Sequence, residues 1–163
     1  MASQGKTANS TGNMLEQVIR DLFVRNGFTL LHHKEWREGL DLYDGDLLIV
    51  NAPFTTIYDH RGKTEFLAHS DRLGLHARIE CKWQQHQGSV DEKLPYLYLN
   101  CIEAMPEEHI IIVIDGDGFK EGAKRWLREA VEAKRYQPPG CTKRIEVFTL
   151  AEFLTWANRT LAQ

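Results

Sequence analysis

No stretch of this chain approaches the roughly 18 uninterrupted apolar residues of a membrane-spanning helix, so a transmembrane reading is excluded. Cysteine is scarce: Cys81, Cys101 and Cys141 are far apart and odd in number, which fits neither a disulfide framework nor a zinc knuckle and leaves reduced thiols. There are 7 histidines, yet none forms an HExxH or a Cys/His array of zinc spacing, so a histidine-built metal site is not expected. Positive charge is not in excess either. With 20 Lys and Arg against 23 Asp and Glu the formal charge is −3, which argues against a protein that coats nucleic acid nonspecifically but allows an acidic centre flanked by a local basic surface. The polar start, Met1 to Ser10, lacks an apolar core and reads as a short disordered lead rather than a signal peptide, with the cytoplasm as the expected location. Residues 11–163, in a chain 42% hydrophobic and 26% charged, then have the size and composition of a single domain.

Hydrophobic periodicity lays out the elements. Leu15, Val18, Ile19, Leu22 and Phe23 form a helical stripe within 11–26, which Ser10 or Thr11 would cap and Gly27 would end. Residues 28–33 suggest a short strand, followed by a charged segment, 34–46, and an apolar run, 47–50, before Pro53. Residues 63–69 and 77–84 alternate as strands, and the intervening 70–75, with Asp71 and Gly74, suits a hairpin loop. The sequence Ser89-Val-Asp-Glu92 has the form of a capping box for a second helix through Leu94, Leu97, Tyr98, Cys101, Ile102 and Met105. The β-branched run 109–114 reads as a strand buried on both faces and ends at the turn-prone Asp115-Gly-Asp-Gly118. A third helix carries Ala123, Trp126, Leu127, Ala130 and Val131; a last strand, 145–148, leads into a helix capped by Thr149 and Glu152. The alternation predicts a mixed α/β sandwich around one sheet.

An acid, one spacer and a lysine occurs three times, as Glu80-Cys-Lys82, Asp91-Glu-Lys93 and Glu132-Ala-Lys134. Only the first lies on a predicted strand, where the period of two sends Arg78, Glu80, Lys82 and Gln84 to one face. Hydrolysis of a phosphodiester calls for hard divalent cations held by oxygen ligands, and one carboxylate is too few. If 70–75 is the hairpin loop, opposed residues have numbers summing to 145, and Glu65 falls across from Glu80. Like charges directly opposed are unfavourable without a cation between them; the bland alternative is a solvated face carrying ordinary ion pairs.

These residues resemble the PD-(D/E)XK nuclease superfamily, in which an acid on one strand and an E-x-K on the next meet beside a helix bearing a further acid. Thr64-Glu65-Phe66 replaces the proline-aspartate motif, Arg78-Ile-Glu80-Cys-Lys82 supplies the second motif, and Glu16 lies on the first helix. The stretch Glu80-Cys-Lys-Trp-Gln-Gln85 with Gly88-Ser-Val-Asp-Glu-Lys93 and Pro95-Tyr96 is similar, more particularly, to small nuclease-like proteins of phages and prophages. The resemblance implies a restriction-endonuclease-like αβββαβ core, a mixed central sheet flanked by helices. It implies a Mg²⁺- or Mn²⁺-dependent deoxyribonuclease in which Glu65, Glu80 and the Cys81 carbonyl bind the metal and Lys82 orients or helps deprotonate the attacking water. Glu16 would act through a water or a second metal; as a plain surface residue beside Arg20 it would need no role.

The departure from the family pattern is at the first acid, which leaves Asp41, Asp44 and Asp46 as rivals to Glu65. Gln84, Lys63, Arg61 and Lys93 are candidate nucleic-acid contacts, with Lys34 and Arg37 nearby in sequence. DNA is the expected partner, and a homodimer the economical way for so small a domain to cut both strands. The size leans toward a structure-selective enzyme acting on a junction or recombination intermediate. The competing reading is a catalytically silent DNA-binding or assembly module on the same fold.

Overall fold

The computed structural model describes residues 4–38, 43–86 and 88–162, with side chains from Met14 onward except at 37 and 38. The chain folds as α1 (Gln4–Arg25), β1 (Thr29–His32), α2 (His33–Glu38), β2 (Leu47–Thr55), β3 (Arg61–Ser70), β4 (Leu75–Trp83), α3 (Lys93–Glu103), β5 (His109–Asp115), α4 (Glu121–Glu132), β6 (Arg144–Phe148) and α5 (Leu150–Leu161). All six strands join one sheet in sequence order. Strands β2, β3 and β4 run antiparallel, whereas β1 against β2 and the β4–β5–β6 half are parallel. The mixed sheet and its flanking helices are the α/β architecture expected from the sequence.

Each sheet face has its own apolar cover. Leu15, Ile19 and Phe23 of α1 and Phe153, Ala157 and Leu161 of α5 pack on Phe66, Ile79, Cys81, Ile111 and Val113. The opposite face brings α3 and α4, through Leu97, Tyr98, Cys101 and Leu127, onto Ile110, Ile112, Ile114 and Val147. Burying each large side chain contributes about 1.5–3 kcal/mol, and β5, buried on both sides, is the common member of the two cores. This explains why residues 109–114 show no alternation.

Four local features depart from the sequence reading. Helix α1 starts at Gln4, within the segment read as a disordered lead, although Gly5, Gly12 and the Thr, Ser and Asn residues between them are poor helix formers. Residues 33–38, which take the last position of the expected strand 28–33 and the start of the charged segment 34–46, form a short helix that has no apolar stripe to announce it. Strand β2 continues through Pro53, which lies just beyond a backbone break at Asn51 (φ 56°), the kind of irregularity that admits proline to a sheet. Ser89 does not cap α3: the N-cap is Glu92, without a side-chain hydrogen bond, and Pro95 sits in the first turn, where its missing N–H is not needed. The Thr149/Glu152 capping box of α5 forms as expected.

The hairpin register is the predicted one. Phe66 opposes Ile79, Leu67 opposes Arg78, and the sum of 145 holds to Ser70 opposite Leu75. Pairing begins only at Phe66, so β3 and β4 separate at the position where Glu65 would meet Glu80.

Candidate active site

Glu65 lies outside both ladders that flank it. On the β2 side the register passes from Val50 opposite Phe66 to Ala52 opposite Thr64, skipping the left-handed Asn51 and Glu65. On the β4 side it ends one residue earlier. Released from pairing, the Glu65 carboxylate turns into the gap, and its Oε2 accepts the Cys81 N–H at 2.7 Å. A residue that bonds sideways across an antiparallel pair offers both its N–H and its C=O on that edge, so the Cys81 carbonyl faces the same gap.

Arg78 ties the strands together beside the gap. Its Nη1 donates to the Ala52 carbonyl at 2.8 Å and to Thr64 Oγ1 at 3.0 Å, and its Nη2 to the Pro53 carbonyl at 3.3 Å. The rest of the guanidinium is matched to Glu107, with Nη2 donating to Oε1 at 2.8 Å and Nε to Oε2. Both residues are buried, at 2% and 8% exposure. Sequence reasoning placed Arg78 on the site face but missed this clamp, because Glu107 lies on the distant α3–β5 connection. Arg78 is a positioning residue: it fixes the backbone beside Glu65 without itself facing the gap's acids.

Glu80 and Lys82, two apart on β4, share a face, and the Lys82 ammonium donates to Glu80 Oε1. Burial, reinforced by Glu65, pushes the Glu80 carboxyl up to about 7 although Lys82 works against it. The other oxygen, Glu80 Oε2, is buried with no hydrogen-bond partner. For Lys82 burial disfavours the charge, but Glu80 and Glu65 outweigh it and hold the pKa above its ordinary value. Lys82 is therefore an ammonium at neutral pH, suited to orienting water or balancing negative charge and not to accepting a proton. The Cys81 thiol faces the α1 core, and burial followed by the neighbouring acids pushes its pKa well up. Only its backbone serves the gap.

Helix α1 brings Glu16 to the same place. Its carboxyl is half-buried and raised in pKa by desolvation, then by Glu65, against the pull of Arg20, Lys63 and Lys82. Arg20 Nε is buried without a partner, a second polar group left waiting beside the acids that the sequence alone did not single out.

The rival acids lie elsewhere. Asp46 sits at the far end of β2 and accepts from Ser70 Oγ at 2.5 Å and Arg72 Nη2 at 2.6 Å. Despite some desolvation, those two donors lower its pKa and fasten the β3–β4 turn. Asp44 is exposed, and Asp41 lies outside the described residues, as does the Arg37 side chain. Gln84 falls just past the end of β4, where alternation no longer applies: its side-chain Nε2 donates to the His86 carbonyl at 2.6 Å. Its backbone is gripped by the Asp115–Gly118 turn, with Gly118 N–H donating to Gln84 O at 2.8 Å. Lys93, exposed, opens α3. Arg61 and Lys63 do converge, with His32, His33, Lys34 and Asn51, on an open cleft of about 900 Å³, and Lys63 Nζ donates to Asn51 Oδ1 at 2.8 Å. A basic cleft thus begins two residues from Glu65.

Among the described residues no group of three or more His, Cys, Asp or Glu is arranged to hold an ion, so Glu16 stands beside the Glu65–Glu80 pair and not as a third ligand in one cluster. The donor set that fits a cation is two carboxylates and a carbonyl. The unpartnered buried oxygen of Glu80 and the mutual repulsion of the two acids are what a hard cation would relieve.

A mixed sheet flanked by helices, opened at an acid beside an E-x-K strand, defines a restriction-endonuclease-like protein. The sequence model of the PD-(D/E)XK nuclease superfamily domain matches residues 7–161, and the chain belongs to that superfamily. No curated protein and no solved structure matches it. Among the described residues, no helix is long and apolar enough to cross a membrane.

Proposed function

We propose that this protein is a metal-dependent DNA endonuclease that hydrolyses phosphodiester bonds at the gap between β3 and β4. The observation that carries the reading is the Glu65–Glu80–Lys82 group: where two strands part, Glu65 accepts the Cys81 N–H and lies near enough to help raise the pKa of Glu80, whose second oxygen is buried without a partner and whose first takes the Lys82 ammonium. Glu65, Glu80 and the Cys81 carbonyl would hold Mg²⁺ or Mn²⁺. When bound there, such an ion supplies positive charge to the scissile phosphate and acidity to water. Lys82 keeps its proton, orients the attacking water and offsets the charge that builds on phosphate. Glu16 orders water on the α1 side, and Arg61, Lys63 and Lys34 hold backbone phosphates in the cleft. A catalytically silent module on the same fold would not need both acids and the lysine, and all three are kept.

The test is cleavage of labelled duplex, single strand, flap and four-way junction with and without Mg²⁺, beside calorimetric binding of Mn²⁺ to the protein alone. Glu80→Gln should lose cutting and ion binding together while the protein stays folded. Cutting by highly purified protein in EDTA, or full activity in Glu80→Gln, would refute the site. A homodimer in solution is part of the same reading; sedimentation as a monomer both free and on DNA would make the protein a nicking enzyme instead.

A further inference from the structure

The β2–β3 connection, residues 56–60, is rigid and ends in an aromatic surface. Its Thr56 Oγ1 accepts from the N–H groups of Tyr58 at 3.4 Å and His60 at 3.2 Å, and Thr56 N–H donates to the His60 carbonyl at 2.8 Å. Asp59 takes the left-handed corner at φ 58°. Buried Asn100 of α3 then pins the tip, its Oδ1 accepting the Ile57 N–H at 3.0 Å. Tyr58 is not needed for that attachment. Its ring lies on Tyr96 of α3, centroids 5.0 Å apart and 25° from parallel, with the His60 ring edge-on at 6.3 Å. Tyr58 nevertheless remains 63% exposed, so one ring face is covered by Tyr96 while much of the ring stays open to solvent.

We propose that Tyr58, backed by Tyr96, is a stacking platform for an unpaired nucleobase, and that the substrate is DNA carrying a single-stranded segment next to the cut. The inference rests on the nuclease reading and adds to it the class of DNA recognised. A ring already held by a stacked neighbour loses little freedom when a base adds to the pile, and a base inside a duplex has no free face to offer. The cations are placed to match. Arg61 follows His60 directly and lines the basic cleft with Lys63, while Lys93 lies one helical turn before Tyr96 on α3. Only Arg61 to Thr64 of extended β3 lie between His60 and Glu65, a separation on the order of 17 Å, which a short run of unpaired nucleotides would span.

The experiment compares wild type, Tyr58→Ala and Tyr58→Phe for binding a fluorescein-labelled single-stranded oligonucleotide and the matching duplex, in EDTA so that nothing is cut. A second single strand carries 2-aminopurine, whose emission is quenched on stacking. Tyr58→Ala should weaken single-strand binding about tenfold, or about 1.4 kcal/mol, leave duplex binding unchanged and abolish the quench, while Tyr58→Phe keeps all three. Unchanged single-strand affinity in Tyr58→Ala, or equal loss on both DNAs, would overturn the platform. If wild type then still cuts DNA with Mg²⁺, only the platform falls. Binding through Tyr58 without cutting under any metal would instead leave the platform standing and remove the catalytic reading, and no binding of either DNA would remove both.

Discussion

Replacing Arg78 by methionine strands the Glu107 carboxylate, 8% exposed, in the interior without its counter-ion. Removing one partner of a buried pair costs about 3–5 kcal/mol. The Ala52 carbonyl and Thr64 Oγ1 also lose their charged donor, but the Thr64 hydroxyl still reaches the Ala52 carbonyl at 3.5 Å, so this loss is nearer about 1 kcal/mol and overlaps the first. A total near 4 kcal/mol is a large share of the roughly 5–15 kcal/mol that holds a domain folded, so urea unfolding should shift strongly. Adding Glu107→Leu to Arg78→Met removes the orphaned charge and should recover most of that stability. It should not recover function. The tethers from β4 to Ala52 and Thr64 remain cut, so Glu65 loses its fixed aim at the Cys81 N–H. Hydrogen exchange at the Cys81 amide should therefore quicken in both variants, and kcat/KM on DNA should stay low in the double variant. A double variant with wild-type cleavage and wild-type Cys81 protection would refute the positioning role; a single variant within about 1 kcal/mol of wild type would refute the buried pair.

Glu65→Gln and Lys82→Ala should each lower cleavage about 10²-fold or more with the fold intact, whereas Asp46→Asn should loosen the β3–β4 turn and leave cutting nearly unchanged; the reverse pattern would move the second ligand to the earlier segment. Without metal, stability should fall as pH rises from 5 to 8. Glu80 is raised by burial and Glu65 from 4.5 to about 7, so its contribution, on the order of 3 kcal/mol, is fully present below 4.5 and is lost as pH rises through 7. Glu16 acts in the same direction. Urea unfolding in EDTA reads this directly, and equal or greater stability at pH 8 would contradict it, as would the same slope in Glu80→Gln. Ca²⁺ should raise DNA affinity without turnover, while Mg²⁺ and Mn²⁺ support cutting, because Ca²⁺ adopts looser and more variable coordination; brisk cutting in Ca²⁺ would refute an octahedral oxygen site. Gly116→Ala should cost about 2 kcal/mol or more in thermal or urea unfolding, since a Cβ there, at φ 99°, would lie 2.2 Å from the Gln84 carbonyl oxygen; an unchanged midpoint would deny the turn its grip.

The sequence by itself determined the elements whose signal is local and periodic. The apolar stripes of α1 and α3, the unbroken β-branched run of β5 and the capping box of α5 depend on neighbours a few residues away. It also determined the hairpin register, because a loop at residues 70–75 and a period of two leave little choice in which residues oppose, and that register runs from Ser70 opposite Leu75 to Phe66 opposite Ile79, the last pair before Glu65. Tertiary structure decided everything that depends on what lies across the sheet. The strands part at Glu65 beside the Asn51 break and the Arg78 grip on Ala52, Thr64 and Glu107, residues brought together only when β2, β3, β4 and the α3–β5 connection assemble. The same assembly sends Asp46 to the wrong end of the sheet to serve as a ligand, turns the Gln84 amide onto His86 and stacks Tyr58 on Tyr96. Pair distances between residues remote in sequence leave no periodic trace in the chain, since they are set by burial and packing in three dimensions and not by the backbone's own repeat.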